Sequence, residues 1–383
     1  MSIYEVRGQA MSEVKNRKIK IAVSGGGTGG HIYPALSIAR GLVEFADAEI
    51  LYLGAKNSME ERLAKDNGFR FSSFEAHGLS RKSLRIIKDI LINLRGVRQA
   101  KKALRDFAPD IAVGTGGFVS GVALKAAVKV GIPVIIHEQN AVPSLANKLL
   151  AKSARAVCIT FDSSAANFPA GANIKLTGLP VRKEILATQV NTAYDYFSIE
   201  PQGKILLVTG GSQGAKALND ALINSWKAFL AAGIRIIHLT GANKFAEVDA
   251  ARRSKGLSEN PNLILLPYLE HMEHALAIAD MVVSRAGASL LAEVTAKGLP
   301  MLLVPYPHAA ANHQEYNARE LVDNGAAVMI NDKDLNGNIL LETVLPILQD
   351  DDKLERLAAA SLASANPEAL DNIVKVVLEN IKA

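Results

Sequence analysis

Residues 19–26 read IKIAVSGG, an apolar run that ends in glycines, and residues 204–211 repeat this pattern as KILLVTGG. A short aliphatic run that stops at glycine predicts a strand buried on both faces, which is typical of parallel sheets. A second pair follows: DIAV at 110–113 with GIP at 131–133, and DMVV at 280–283 with GLP at 298–300. Two copies of strand, glycine loop, helix and strand predict two doubly wound α/β domains of similar topology.

The boundary between the two domains is expected near residue 190. Residues 188–202 are polar and contain no strand pattern, and they come just before the second copy of the first strand. We therefore assign residues 1–190 to an N-terminal domain and 191–383 to a C-terminal domain. Apolar residues at helical spacing between Ile373 and Ile381 predict a final helix, which could pack back on the N-terminal domain.

The composition is that of a soluble globular protein. The 383 residues are 49% hydrophobic and 21% charged, which excludes a disordered or fibrous chain. The single cysteine, Cys158, lies in an apolar run and cannot form an internal disulfide, so we expect it in the core and the chain in a reducing compartment. No run approaches the roughly 20 apolar residues of a membrane-spanning helix, and residues 1–20 do not resemble a signal peptide. These features predict a cytoplasmic location.

The positive charge is concentrated in one segment. The whole chain has a net charge of +5, whereas residues 81–105 alone carry +8. Apolar residues recur in this segment at helical spacing among the basic ones. The apolar positions are Leu84, Ile87, Leu91 and Leu94, and the adjacent bases include Arg85 and Lys88. This pattern indicates a helix that lies on an anionic membrane surface, although a helix packed on its own sheet would share it. Nucleic-acid binding is less favoured, because only Phe107 could stack on a base.

Four glycine loops follow predicted strands, at residues 25–30, 114–117, 210–214 and 284–288. Helix N-termini at such loops bind phosphates through unpaired N–H groups. A dinucleotide-binding dehydrogenase would need an acidic residue after the second strand, where this chain has Gly54-Ala55-Lys56. No Gly-Lys-Ser/Thr follows any loop, which argues against a P-loop ATPase. Helix ends together with Arg182 or Arg285 could instead hold a diphosphate without a metal.

Few residues are candidates for acid–base or metal chemistry. His31 lies at a helix N-terminus, where a neutral imidazole could accept a proton or simply cap the helix. The HEQN stretch at 137–140 ends a buried strand, at the edge where an open sheet binds its ligands. The DKD stretch at 332–334 formally matches a metal-binding pattern, but its polar context favours a turn, so we expect no metal site.

Several motifs together resemble one family, the MurG-type N-acetylglucosaminyltransferases of bacterial cell-wall synthesis, which are GT-B glycosyltransferases. The motifs are GGTGGHIYP at 26–34, GGFVSG at 116–121, HEQN at 137–140, GGSQGA at 210–215, SRAGA at 284–288 and PYPHAAANHQEYNA at 305–318. The resemblance extends from about residue 18 to the end of the chain. It implies two Rossmann-like domains that face a deep cleft. The N-terminal domain would face the acceptor and the membrane, and the C-terminal domain would bind the UDP-sugar.

The resemblance also implies a reaction and a location. N-acetylglucosamine would pass, with inversion, from UDP-N-acetylglucosamine to the 4-hydroxyl of the muramoyl sugar of lipid I, forming lipid II for peptidoglycan without a cofactor or essential metal. Because the acceptor has an undecaprenyl tail, the enzyme would work as a peripheral protein at the cytoplasmic face of the inner membrane. Two alternatives on the same fold are a UDP-N-acetylglucosamine 2-epimerase and a non-catalytic UDP-sugar sensor.

The family pattern implies specific site residues. His31 matches the expected base, and Gly116 and Gly117 face the acceptor diphosphate. The donor-binding positions are Thr28, Gly29, Gly30, Asn140, Arg182, Ser212, Leu269, Ala288, Ser289, Leu290, Leu291, Ala292, Glu293, Gln314 and Asn317. Glu293 would hold the ribose diol. Leu290 stands where the family commonly has threonine, so a hydroxyl contact is expected to be lost there. Residues 1–16 lie outside the resemblance and are candidates for a dispensable segment.

Overall fold

The computed structural model describes residues 3–13, 17–78 and 83–381. It divides into two compact units, the first formed by Met1–Pro180 with Asn366–Ala383 and the second by Val181–Ala365. The units therefore meet at Pro180 and Val181, ten residues before the boundary expected from the sequence.

The first unit is a parallel sheet of seven strands with helices on both faces. Its strands are β1 (Lys20–Ser24), β2 (Glu49–Ala55), β3 (Arg70–Phe74), β4 (Ile111–Gly114), β5 (Val134–Glu138), β6 (Ala156–Ile159) and β7 (Ile174–Leu176). Its helices before the unit boundary are α1 (Ile3–Glu13), α2 (Gly29–Ala46), α3 (Met59–Asp66), α4 (Ser83–Phe107), α5 (Gly117–Lys129) and α6 (Leu145–Leu150). The strand order is β3-β2-β1-β4-β5-β6-β7, with Ile21 opposite Ile50 in β2 and Ile111 in β4.

The second unit repeats this plan with six parallel strands. They are β8 (Ile205–Thr209), β9 (Arg235–Leu239), β10 (Leu263–Leu266), β11 (Met281–Ser284), β12 (Met301–Leu303) and β13 (Ala327–Met329), in the order β10-β9-β8-β11-β12-β13. The helices are α7 (Lys183–Ala187), α8 (Val190–Phe197), α9 (Lys216–Ala231), α10 (Phe245–Ser254), α11 (Met272–Ile278), α12 (Ala288–Ala296), α13 (His313–Asp323), α14 (Gly337–Leu348) and α15 (Asp351–Ala363). The prediction of two doubly wound parallel-sheet α/β domains is confirmed.

Burial explains why these strands are nearly continuous apolar runs. In β4, β5, β8 and β9 every residue is buried, because helices cover both faces of the sheet. Cys158 in β6 is fully buried as expected. The polar stretch after residue 182 folds as α7 and α8, and both helices pack on α11 of the second unit. This packing explains why the second unit begins earlier than the sequence suggested.

Both ends of the chain contribute to the first unit. The last helix, α16 (Ala369–Glu379), packs against α2 and α1, and Ile373 and Val377 are fully buried there. In α1, Val6 and Ala10 are buried in the same cluster. The described part of the N-terminal segment is therefore a helix packed on this core.

Candidate active site

The four glycine loops lie at the two points where strand order reverses. In the first unit, β1 and β4 are neighbours in the sheet, and the chain continues from β1 to β2 on one side and from β4 to β5 on the other. In the second unit, β8 and β11 are neighbours in the same way, and the chain continues to β9 on one side and to β12 on the other. The loops follow these four strands. In open α/β sheets, ligands bind in the crevice beyond the carboxyl ends of the strands at such a reversal. Each unit therefore has one expected ligand-binding edge, lined by two glycine loops.

The helices that begin at these loops have no side-chain caps. The N-cap residues of α2, α5, α9 and α12 are Thr28, Gly116, Ala215 and Gly287, and none accepts a side-chain hydrogen bond from its helix. Side chains do cap α3, α6, α14 and α15, through Ser58, Ser144, Asn336 and Asp350. Helices α7, α8, α10, α11, α13 and α16 also have no side-chain cap, so it is the position of the four glycine-loop helices at the strand-order reversals that marks them. An uncapped N-terminus keeps its first N–H groups and its positive dipole end available for an anion.

In the first unit the two glycine loops touch through their backbones. A Cβ on Gly117 would lie 2.4 Å from the Gly26 carbonyl oxygen, and one on Gly25 would lie 2.1 Å from Thr115 Oγ1. The Thr115 N–H donates to Ser24 O at 3.0 Å. Only glycine allows this approach, so the two loops form one continuous backbone surface.

His31 lies at the centre of this surface, in the first turn of α2. Its Nδ1 lies 3.0 Å from Thr115 O and 2.9 Å from Gln139 Oε1. The imidazole therefore bonds to the second glycine loop and to the end of β5 instead of capping its own helix. None of the described residues hydrogen-bonds to Nε2 of His31, which leaves that atom available to a substrate.

The HEQN stretch ends β5 as predicted, and Glu138 fixes the loop that follows it. Its buried carboxylate accepts hydrogen bonds from the backbone N–H groups of Asn140 and Ser144 at 3.0 and 2.9 Å, and from Asn147 Nδ2 at 2.8 Å. These bonds satisfy the buried side-chain oxygens and fix Asn140 directly after β5. Glu138 thus has a structural task that the motif alone did not reveal.

In the second unit, Arg182 and Glu293 form a bidentate ion pair. Arg182 Nε donates to Glu293 Oε1 at 2.8 Å and Nη2 donates to Oε2 at 3.3 Å, while Nη1 lies 3.9 Å from Glu273 Oε2. Arg182 was expected to contribute from the first domain, but it belongs to the second unit. Glu273 was not singled out, because nothing in the local sequence links it to an arginine 91 positions earlier.

The pKa values in this cluster reflect burial and pairing. Burial raises the pKa of Glu293, and Arg182 offsets this only in part. Burial opposes the charge of Arg182, but its hydrogen bond and attraction to Glu293 prevail, so the pKa of Arg182 is raised. Burial also opposes ionisation of Glu273, but bonds from its own N–H and from His271 lower its pKa. A partly buried carboxylate with one cationic partner can exchange that partner for ligand hydroxyls.

The other residues expected to bind the donor lie on loops and helix ends of the second unit. Ser212 is exposed in the loop after β8, Leu269 is buried in the loop after β10, and residues 288–293 form the first turns of α12. Gln314 Oε1 accepts from the Tyr306 N–H at 2.9 Å, and Asn317 Nδ2 donates to Ala286 O at 3.1 Å. These two amides fix the loops after β12 and β11.

Arg285 has a structural role that the sequence did not predict. Its Nη1 donates to Val304 O at 3.0 Å and to Pro305 O at 3.2 Å, and lies 2.5 Å from Asp332. The guanidinium is thus committed to neighbouring loops, and the idea that Arg285 holds a diphosphate is not supported. Asp332 is correspondingly an ion-pair partner in a turn. Within residues 3–13, 17–78 and 83–381, no cluster of three His, Cys, Asp or Glu side chains is placed to hold a metal.

Helix α4 has two different halves. Val97, Ala100, Leu104 and Phe107 are buried against the sheet, as in an ordinary core helix. In the first half, however, Ile87, Leu91 and Leu94 are 60%, 56% and 43% exposed. The side chains of Leu84 and Arg85 lie outside the described residues. No helix in the described ranges has the length and apolar character needed to cross a membrane.

A cavity of about 540 Å³, which sequence reasoning missed, lies between the first half of α4 and the ends of β2 and β3. Lys56, Lys88 and Arg95 line it together with His77 and Leu91. Asn93 on α4 holds the segment at His77, because its side chain accepts from the His77 N–H at 2.8 Å and donates to His77 O at 2.9 Å. Basic and apolar side chains therefore meet on one face of the first unit.

Comparisons with known proteins agree with this architecture. Residues 21–159 match the N-terminal domain model of glycosyltransferase family 28, and residues 205–373 match its C-terminal domain model. A relative from Moorella thermoacetica is 42% identical over 95% of this chain and 100% of its own length. It is named UDP-N-acetylglucosamine--N-acetylmuramyl-(pentapeptide) pyrophosphoryl-undecaprenol N-acetylglucosamine transferase.

Two solved structures extend the comparison. The MurG of Acinetobacter baumannii superimposes with a TM-score of 0.76 at 30% identity, covering 94% of this chain and 99% of that one. The UDP-GlcNAc 2-epimerase of Neisseria meningitidis gives a TM-score of 0.68 at 15% identity, covering 95% and 100%, which shows a common fold alone. The chain is therefore a GT-B glycosyltransferase that belongs to family 28, among the MurG-type N-acetylglucosaminyltransferases.

Proposed function

We propose that this protein transfers N-acetylglucosamine from UDP-N-acetylglucosamine to the 4-hydroxyl of the muramoyl sugar of lipid I, forming lipid II with inversion at the anomeric carbon. One observation carries the proposal: each unit has an uncapped, glycine-lined helix edge at its strand-order reversal. Both substrates contain a pyrophosphate, and such an edge binds phosphates without a metal. The name of the Moorella thermoacetica relative describes the same transfer.

The second unit is the proposed donor domain. The diphosphate would lie at the N-termini of α9 and α12, next to Ser212 and Ala288, with uracil beside Leu269. The hydroxyls of the ribose diol would bind to Glu293 in place of Arg182. The Arg182 guanidinium would then be released and would pair with the diphosphate. Gln314 and Asn317 would contact the sugar from α13. Because UDP gains negative charge as the C1–O bond breaks, these fixed dipoles and Arg182 stabilise the transition state more than the bound substrate.

The first unit is the proposed acceptor domain. Gly116 and Gly117 would hold the acceptor diphosphate at the start of α5, while Thr28 to Gly30 and Asn140 complete the donor contacts. His31 Nε2 would take the proton of the attacking hydroxyl, which makes the oxygen a better nucleophile as the sugar–UDP bond breaks. The Nδ1 contacts of His31 hold the ring in place for this transfer.

The exposed half of α4 is the proposed membrane surface. Ile87, Leu91 and Leu94 would enter the headgroup region, while Lys88 and neighbouring bases attract the anionic inner leaflet of the cell membrane. The protein would thus meet its lipid-linked acceptor as a peripheral protein on the cytoplasmic face. Nucleic acid has no place in this scheme.

The test is UDP release by the full-length protein supplied with UDP-N-acetylglucosamine and a lipid I analogue, with and without a chelator. We expect release that requires the acceptor and persists with the chelator. An epimerised UDP-sugar formed without acceptor would favour the epimerase, and donor binding without UDP release would favour a sensor. The His31→Ala variant should lose about 100-fold or more in turnover with nearly unchanged UDP affinity. Equal losses in both would contradict its role as the base.

A further inference from the structure

A continuous line of hydrogen bonds runs from His31 into the interior of the first unit. His31 Nδ1 lies 2.9 Å from Gln139 Oε1, Gln139 Nε2 lies 2.9 Å from His137 Nδ1, and His137 Nε2 lies 2.9 Å from Gly178 O. His137 is fully buried and Gln139 is 1% exposed. Neither is needed to bind a substrate in the scheme above, so their burial requires another explanation.

The backbone carbonyls at the two ends determine where the protons lie. A carbonyl oxygen only accepts, so His137 Nε2 must carry a proton to bond to Gly178 O. Burial lowers the pKa of His137 to about 4, so near neutral pH its Nδ1 is an unprotonated acceptor. Gln139 Nε2 therefore donates to His137 Nδ1 and, at 3.0 Å, to His137 O. The amide is thereby oriented with its oxygen toward His31.

At the other end, His31 Nδ1 faces two acceptors, Thr115 O and Gln139 Oε1. It must carry a proton to bond to either of them. We propose that Gln139, itself oriented by His137, is a positioning residue that together with Thr115 O holds His31 in the Nδ1–H tautomer and leaves Nε2 as the proton acceptor. The significance for turnover rests on the proposed function of His31, but the tautomer itself does not.

The neutral amide suits a group that must take a proton and then release it. When Nε2 is protonated, the Nδ1–H remains bonded to two oxygens, so the ring does not need to turn. A carboxylate in place of Gln139 would hold the imidazolium more strongly. The nearby carboxylates are engaged elsewhere: Glu138 bonds to Ser144 and Asn147, and Glu60 accepts from the Ala55 N–H at 3.3 Å.

The direct test is the tautomer of His31 in the full-length protein labelled with ¹⁵N-histidine. Long-range proton–nitrogen spectra distinguish a protonated Nδ1 from a protonated Nε2, and loss of one ring's signals in His31→Gln assigns them. We expect neutral His31 to be protonated at Nδ1. A ring protonated mainly at Nε2 would overturn the proposal, whatever the activity of the enzyme.

Two variants of one residue test the role of Gln139. Gln139→Met keeps the side chain's approximate size but removes both polar contacts. Its turnover should fall about tenfold, as for the loss of one hydrogen bond, with the KM for UDP-N-acetylglucosamine unchanged. The share of the Nε2–H tautomer should rise, because Thr115 O is then the one acceptor left to Nδ1–H. Gln139→Glu restores an acceptor for Nδ1–H and should exceed Gln139→Met in turnover severalfold.

The controls separate this inference from the proposed function. Circular dichroism during thermal unfolding shows whether each variant folds, and the wild-type tautomer remains decisive if one does not. Equal turnover in wild type, Gln139→Met and Gln139→Glu, with one unchanged tautomer, would refute a positioning role. Full activity in His31→Ala would refute the base, yet the nitrogen spectra would still show whether the line of hydrogen bonds fixes the ring.

Discussion

His238 in β9 is held neutral by its surroundings. It is fully buried, and burial lowers its pKa to about 3. In the unfolded chain a histidine has a pKa of about 6.5. Below that pH the unfolded state therefore binds a proton on His238 that the folded state does not. The free energy of unfolding of the second unit should therefore be fully retained above about pH 6.5 and should fall by about 3 kcal/mol between there and about pH 4.

Trp226 provides the measurement for this prediction. It is the single tryptophan of the chain, it is fully buried in the second unit, and its ring lies 5.8 Å from that of His238. Urea unfolding followed by its fluorescence at several pH values should give a shallower pH dependence for His238→Gln than for wild type. His308→Gln, at an exposed position, serves as the matched control. An equal slope in wild type and His238→Gln would show that other groups cause the acid loss.

Substitution of Leu290 tests whether a hydroxyl at the start of α12 contributes to binding of the donor. Leu290 is half-buried in the first turn of α12, at the position where the family pattern leads us to expect threonine. Leu290→Thr should lower the KM for UDP-N-acetylglucosamine about three- to tenfold, because it adds one hydrogen-bonding group at an uncapped helix N-terminus. Leu290→Val has the same branching without the hydroxyl. If both variants give the same KM, the change in shape alone is responsible and the hydroxyl contact does not form.

At the scale of elements, we predict that the exposed first half of α4 binds membranes. Ile87 and Leu91 are exposed apolar residues on its first half. Replacing both with serine should weaken binding to phosphatidylglycerol-containing vesicles about tenfold, because less apolar surface enters the headgroup region. Cosedimentation measures the bound fraction, and added salt should weaken wild-type binding as well. Leu362→Ser, at a 58% exposed position on α15, is the control. Unchanged binding of the double variant would exclude this face.

The elements themselves were largely predictable from the sequence, because burial on both faces of a parallel sheet leaves a direct pattern of apolar runs ending at glycine. The two units also share individual hydrogen bonds. Asp110 accepts from the Lys20 N–H at 2.8 Å in the first unit, and Asp280 accepts from the equivalent Ile205 N–H at 2.7 Å in the second. The placement of the glycine loops and of His31 at a helix start followed from the same pattern.

Pairings across long stretches of chain were not predictable. Arg182 and Glu293 are 111 positions apart, and no local periodicity reports that they meet. The commitment of Arg285 to Asp332 was hidden for the same reason, and so was the division of α4 into a packed and an exposed half. In α1, two small apolar residues are buried by α16 from the far end of the chain. Tertiary contacts of this kind determine the role of a side chain but produce no pattern in the residues next to it in sequence.

For the whole molecule, the division into two units predicts where ligands protect the backbone. If the second unit holds the donor, UDP-N-acetylglucosamine should slow hydrogen exchange in peptides covering residues 210–217 and 286–293. The peptide covering 114–118, at the proposed acceptor loop, should change much less without acceptor. Binding at 100 times the dissociation constant stabilises the bound form by up to about 2.7 kcal/mol, which exchange measured by mass spectrometry can detect.

Glu293→Gln and ADP-glucose supply the controls for this experiment. The variant keeps the size of the side chain but weakens the contact with the ribose, so at equal ligand concentration it should show less protection in the same two peptides. ADP-glucose keeps the diphosphate but changes both the base and the sugar, so strong protection by it would mean that Leu269 does not select uracil. Protection by UDP-N-acetylglucosamine confined to residues 27–31 and 114–118 would reverse the roles of the two units. The donor would then bind at the edge that holds His31, and the hydroxyl that this histidine deprotonates would have to come from the other substrate at the other edge.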